Sequence, residues 1–326
     1  MQRRYSSLVP GFAALRDAVD GECLKPQCRC PSRWSAAARR SVLAVVMGVL
    51  VTGCAPQTML LRGMADQLAS QGGADEEDLG LARDASAFYL TLSESVLVRT
   101  PDHIPLATAV AGGFVRYAYA FVAFDADRLE SSDAKAAQRL RERAARMYLR
   151  GQRHAMKALA QRHPGLLAAL ADPRGNLPRL AVDEVALAYW AAAGWGAHVA
   201  LSKDRPDVVA DLPQVVRLAA LAWDREPDHD QGALATLMGS LEAARPGGSM
   251  PRAEQYFDRA VAAAQGRSAG PYVARAETLA LPAGDRPAFE ALLRQALEIG
   301  AAHPDLGNQV MRERARWLLD TADDRF

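Results

Sequence analysis

From residue 57 to residue 322 apolar side chains recur every three or four positions, and no stretch alternates apolar and polar residues long enough to make a strand. That periodicity restricts the chain to packed helices, so the expected fold class is all-α. Helical spacing covers residues 57–71, 80–98, 104–127, 132–162, 182–203, 212–225, 229–244, 251–265, 270–280, 286–300 and 306–322. Breaks fall at Pro101-Asp102, Pro164-Gly165, Asp172–Pro178, Pro227-Asp228, Pro246–Gly248, Pro282–Gly284 and Pro304-Asp305, where Pro and Gly cannot continue a helix. Connections this short make consecutive helices antiparallel neighbours.

Within the hairpins, small and large residues take turns in an ordered way. Ala253, Phe257 and Ala260 place a small residue, a large one four later and a small one three after that. Val215, Ala219, Ala222 and Pro227 follow the same frame, and Trp190 stands four before Gly194. Phe289, Leu293, Ala296 and Pro304 match more loosely. This is the spacing of second and first helices in a tetratricopeptide unit, where small residues let helices approach and Pro closes the pair. The expectation is an irregular tetratricopeptide-like helical-hairpin array, an α-solenoid, over 79–326.

The leading segment is of a different kind. Residues 1–53 carry eight Lys/Arg against three acids, a charge of +5, and the remainder carries −4. A mildly acidic body speaks against binding nucleic acid, which needs a surplus of Lys/Arg facing phosphates. Arg39-Arg40 precede the uncharged run Val42–Val51, and Val51-Thr52-Gly53-Cys54 follows. Ten apolar residues are too few to span a bilayer as a helix. A basic flank, a short apolar run and small residues before a cut form a secretory signal. Gly53-Cys54 resembles a bacterial lipobox, which implies signal removal and acylation of Cys54. The expected organisation is therefore 1–53 as signal peptide with a mis-called N-terminal extension, 54–78 as lipid-anchored tether and first helix, and 79–326 as the helical domain. Cys23, Cys28 and Cys30 would leave with the leader, and one remaining cysteine cannot form an intramolecular disulfide.

Several segments carry a family resemblance: Phe114–Asp125, Met147–Leu159, Leu187–Pro213 with its Trp-Ala-Ala-Ala-Gly-Trp run and Ser202-Lys203-Asp204, Trp223–Ala243 continuing into Arg252–Val261, and Arg312–Leu319. From about Leu90 to Phe326 the chain resembles the periplasmic T component associated with TRAP transporters (TatT family). The resemblance implies a tetratricopeptide-like lipoprotein that forms a homotrimer and pairs with a TRAP solute-binding receptor on the periplasmic side of a membrane. The alternative is a lipoprotein scaffold for cell-envelope or outer-membrane assembly, which shares anchor and repeats. A cytoplasmic adaptor would require Cys54 to be an ordinary residue.

Enzymatic signatures are missing from the sequence. His103, His154, His163, His198, His229 and His303 show no zinc spacing, and there is no GxSxG, Walker or GxGxxG motif. Asp228-His229-Asp230 reads as a helix cap. The expectation is a binding protein with no catalytic residue, metal or cofactor. Candidate residues for a partner or ligand groove are Tyr117, Tyr119, Tyr189, Trp190, Trp195 and His198. Trp190 and Trp195 are five apart, a net rotation of about 140° at 3.6 residues per turn, so they cannot share one face. The hairpin frame puts Trp190 in the core and leaves Trp195 for a groove. Tyr117 and Tyr119, two apart, point to opposite sides by the same argument.

Overall fold

The computed structural model describes residues 55–70 and 78–326, which form helices throughout with no strand among them. The leader and the expected lipidation residue Cys54 lie outside the described residues. The helices are α1 (Ala55–Ser70), α2 (Leu79–Arg99), α3 (Ile104–Leu129), α4 (Ala134–Arg162), α5 (Leu166–Ala171), α6 (Val182–Ala200), α7 (Pro206–Val209), α8 (Leu212–Arg225), α9 (His229–Ala244), α10 (Met250–Ala264), α11 (Gly270–Arg275), α12 (Arg286–Ala302) and α13 (Leu306–Asp320). The chain forms the expected all-α array. Two short helices, α5 and α7, escape the periodicity because six and four residues hold too few turns to show one.

Acidic and hydroxyl side chains start many of these helices. Asp133, Ser249, Asp285 and Asp305 each accept a hydrogen bond from a backbone N–H of the first turn, and His103 does the same through Nδ1. Each such cap satisfies a donor that the helix itself cannot, worth about 1 kcal/mol. Asp228 does not behave as the cap the sequence suggests. Its carboxylate instead pairs with Arg259 at 2.8 and 3.1 Å.

The interior is built where the small residues allow it. Helices α3, α4 and α6 meet closely: a Cβ added at Gly151 would lie 2.8 Å from the Ala111 carbonyl, and one at Gly194 would lie 2.9 Å from the Tyr148 carbonyl. The repeat-frame positions Val215, Ala219, Ala222, Ala253, Phe257 and Ala260 are all fully buried. Helix α3 is long and apolar enough by composition to cross a membrane, but over half of its most apolar stretch is buried inside the protein, so it is a core helix.

Helix α3 is interrupted by one π-helical stretch, Ala118–Ala123, and a second stretch, Ala276–Ala280, follows α11. Beyond the first, Phe124 turns toward the C-terminal helix and meets the Trp317 ring edge-on at 5.5 Å. Arg314 on α13 pairs with Asp127 at 3.1 Å and with Glu277, and its guanidinium lies over Tyr119, Phe124 and Trp317. Burial works against the Arg314 charge, but Tyr119, Glu277 and Asp127 outweigh it and hold its pKa well above the usual arginine value. The last helix is thereby fastened to the third across 187 positions of sequence.

Candidate functional site

Helix α6 carries two stripes. Ala188, Ala191, Ala192, Trp195 and Val199 are buried, while Ala186, Trp190, Ala193 and Ala197 are half-buried. Trp195 is 5% exposed, and its Nε1 donates to Asp211 Oδ2 at 3.1 Å. This reverses the order expected for the two tryptophans. The frame residue Trp190 lies on the flanking stripe, and Trp195 takes the interior because it follows Ala188 and Ala191 at seven and four positions.

Of the six residues singled out from sequence, Tyr117, Tyr189 and Trp190 pack against one core cluster, which includes Trp195, and Tyr117, Tyr119 and Trp190 pack against a second. His198 is 8% exposed, and its Nδ1 donates to the Ala145 carbonyl at 3.1 Å. Desolvation lowers its pKa despite that hydrogen bond. Tyr119 faces α13, where its hydroxyl meets Met311 Sδ at 3.9 Å and burial pushes its pKa up to about 12. Tyr117 packs edge-on against Phe121 at 5.3 Å. Trp195 and His198 thus belong to the interior, and Tyr117 and Tyr119 to helix packing. Tyr189 and Trp190 remain together, their ring centroids 4.7 Å apart in an edge contact.

Around this pair the fold assembles residues from four helices. Trp190 lies against Gly112 of α3, where an added Cβ would come within 2.7 Å of the indole. The Arg116 guanidinium of α3 lies 4.8 Å from the Trp190 ring centroid, a cation–π arrangement. The Tyr189 ring meets the His229 ring at 5.7 Å, bringing in the start of α9. Tyr89 of α2 contributes a hydroxyl that is buried and has no hydrogen-bond partner. Arg116 has no hydrogen bond or ion pair with any described residue.

Arg116 is the charged member of this group. Arg116 is exposed to solvent. Desolvation by the surrounding walls nevertheless lowers its pKa, with Asp230, Tyr189 and Tyr89 acting in the opposite direction. The arginine stays charged regardless, since its intrinsic pKa exceeds about 12. Desolvation also raises the Tyr189 pKa, and the Asp230 carboxylate adds to the rise.

Asp230 and its neighbours are held in an unusual backbone. Asp230, Gln231 and Gly232 have φ of 51°, 52° and 86°, three left-handed residues in succession. Only glycine takes this region without strain, and such strain concentrates at binding sites and switches. Gly232 is required for a second reason, because a Cβ there would lie 2.5 Å from the Ala260 carbonyl. Sequence reasoning missed Arg116, Tyr89 and Asp230. One signal was present: Arg116 is the only Lys, Arg, Asp or Glu between Asp102 and Asp125.

The fold is an all-α array in which an aromatic pair and an arginine meet between α3 and α6. The family model described as TRAP transporter T-component matches residues 75–326, and the chain belongs to that family. An uncharacterized protein of Treponema pallidum (strain Nichols) is 27% identical over 267 residues, covering 77% of this chain and 81% of the relative. Membership makes the protein an accessory component of a TRAP transport system, a transport subunit outside the known enzyme families. It also points to a periplasmic, membrane-associated setting.

Proposed function

We propose that the protein is a lipid-anchored periplasmic subunit that docks the solute-binding receptor of a TRAP uptake system and holds or passes its ligand. The observation that carries this reading is the span of the family match. It covers all four helices that build the cleft, from Tyr89 to Asp230. The ligand role falls to the open pair Tyr189 and Trp190 with Arg116.

Acylation of Cys54 would put the anchor one residue before Ala55, the first described residue of α1. Two or more acyl chains suffice for stable anchoring. Assembly as a homotrimer and a tetratricopeptide-like repeat identity belong to the same proposal, and they rest on family resemblance together with the buried repeat-frame positions.

The test is direct. The detergent-solubilised full chain, immobilised, should retain a TRAP solute-binding receptor from the same organism at moderate salt. Failure to retain it, with the receptor shown to be folded, refutes docking. Light scattering of the same preparation should give three protomers per particle, and a monomer refutes the trimer.

A further inference from the structure

We infer that the outward face of α4 rests on an anionic lipid surface and sets how the anchored protein stands on its membrane. The inference deepens the lipid-anchored reading above and rests on it for the position of the anchor.

Helix α4 holds nine Lys/Arg and a single acid, Glu142, a net charge of +8. The rest of residues 54–326 therefore carries −12. The cations are also aligned. Lys135, Arg139, Arg143, Arg146, Arg150, Arg153 and Lys157 follow one another at steps of three or four, and all seven are exposed, so they form one outward row. At 1.5 Å per residue the row is about 33 Å long.

This row is not matched from within. Arginines elsewhere are paired: Arg314 with Asp127 and Glu277, Arg286 with Glu290 and Asp323, Arg259 with Asp228. In the row only Arg150 has such a partner, Glu94 of α2. The other six make no hydrogen bond or ion pair with any described residue. Like charges one turn apart repel and weaken the helix that carries them, whereas alternating acids and bases would support it. A face that met only water would be more stable with mixed charge. The row is suited to anions supplied from outside the chain.

Its place in the fold selects the source of those anions. Lys157, at the end of the row, borders a small recess with Val98 and Pro101, where α2 gives way to α3. The next two residues hold α1: Arg62 donates to Asp102 at 2.8 Å, and His103 pairs with Asp66 at 3.0 Å. Cys54 directly precedes α1, about 12 Å of helix before Arg62. Acyl chains on Cys54 would thus enter a bilayer close to where the row ends. Helix α1 also exposes Met59, Leu60 and Met64, apolar side chains that follow the anchor within three turns. An acyl anchor beside a polybasic patch is a combination that binds anionic membranes. Guanidinium forks match the phosphate oxygens of lipid headgroups, and a flat headgroup layer meets a row of this length along all of it. Each cation held near an anionic leaflet raises partitioning by about fivefold. Salt screens that pull beyond about 8 Å at physiological ionic strength, so the row orients a protein that acyl chains already hold.

The test is co-sedimentation of the full chain carrying Cys54→Ser, which no acyl chain can hold, with vesicles of phosphatidylcholine alone or with equal parts phosphatidylglycerol. The leader is common to every variant, so differences between variants read the row. At low salt the protein should prefer the phosphatidylglycerol vesicles by at least about tenfold, and about 0.5 M salt should abolish the preference. Arg139→Gln, Arg143→Gln, Arg146→Gln and Arg153→Gln together should reduce it at least about tenfold, and the same four changed to lysine should keep it. Neutralising four exposed cations elsewhere, Arg174→Gln, Arg179→Gln, Lys203→Gln and Arg267→Gln, should leave it within about twofold. Should the glutamine set on α4 lose helicity by circular dichroism, Lys135→Gln with Lys157→Gln should still lower the preference severalfold. No preference for phosphatidylglycerol overturns the inference, as does a preference that either α4 set leaves intact or that both four-residue sets lose equally. Receptor retention is measured on the same variants. Retention lost with the vesicle preference intact assigns the row to an acidic protein partner and overturns the lipid assignment. Membrane release of Cys54→Ser in the host is read separately; its failure sinks the acyl anchor, and the vesicle comparison stands or falls by itself.

Discussion

Replacing Trp195 by alanine tests the packing of α6 most sharply. Its indole is almost wholly buried, and an aromatic side chain of this kind removes about 150–250 Å² from water. At about 25 cal/mol per Å² that is about 4–6 kcal/mol. The alanine methyl recovers part of it, so the expected loss is about 3–5 kcal/mol, in line with other buried aromatic truncations. Trp190→Ala should cost about 2 kcal/mol, because that ring is half-buried; it loses its contacts with Tyr189, Arg116 and Gly112 and part of its packing on the core. Trp195→Phe separates the hydrogen bond from the burial. It keeps an aromatic ring, removes the donor to Asp211, and should cost about 1–2 kcal/mol. Asp211 does not become an orphan, since Gln214 Nε2 still reaches its other oxygen at 3.3 Å. Far-ultraviolet circular dichroism during urea denaturation reads all three. For a chain of this length Trp195→Ala should also lower Tm by about 4–9 °C. A larger loss for Trp190→Ala than for Trp195→Ala would refute the assignment of the two stripes.

Three further outcomes follow from the same structure. Gly194→Ala pushes a methyl against the Tyr148 carbonyl and the Val115 side chain, and denaturation should register about 1–3 kcal/mol of destabilisation; a neutral result would mean α4 and α6 are not so tightly apposed. His198 is held neutral by burial, so its folded pKa lies below the unfolded value of 6.5. Its pH-dependent stabilisation is then complete above that value and is lost as pH falls from it through the folded pKa, so His198→Gln should flatten the stability–pH curve in that window, as measured by urea midpoints. Cys54→Ser should move the protein from the membrane to the soluble fraction of the host, and unchanged fractionation would reject acylation at that residue.

Much of the fold was legible because helices with Pro and Gly punctuation write their boundaries into the sequence. Residues 212–225 were bounded to the residue, the helix expected at 229–244 is interrupted by the left-handed residues Asp230–Gly232, and α3 began at Ile104 as its spacing required. The repeat frame located Ala253, Phe257 and Ala260 in the core for the same reason: a small–large–small register leaves few alternatives once helices pack. The cleft was less legible. Its aromatic half, Tyr189 and Trp190, showed as an excess of rings on one helix. Its polar half depends on which helices cross, since Tyr89, Arg116 and Asp230 come together only through tertiary packing. The left-handed run at Asp230 gave no warning either, because Asp-Gln-Gly at a helix start reads as an ordinary first turn. Trp190 and Trp195 show the limit of frame reasoning. Two faces can be told apart from spacing, but which one meets the neighbouring helix is decided by the neighbour.

The clasp between α13 and α3 changes what kind of molecule the array is. Stacked hairpins that touch only their immediate neighbours can gain or lose a unit at either end with little effect on the rest. Here Arg314 grips Asp127, and Trp317 abuts Phe124, so the tail serves as keeper for the middle. A hairpin spliced in between would pull those ends out of register instead of lengthening a series, and shortening the C-terminus would loosen a point far upstream.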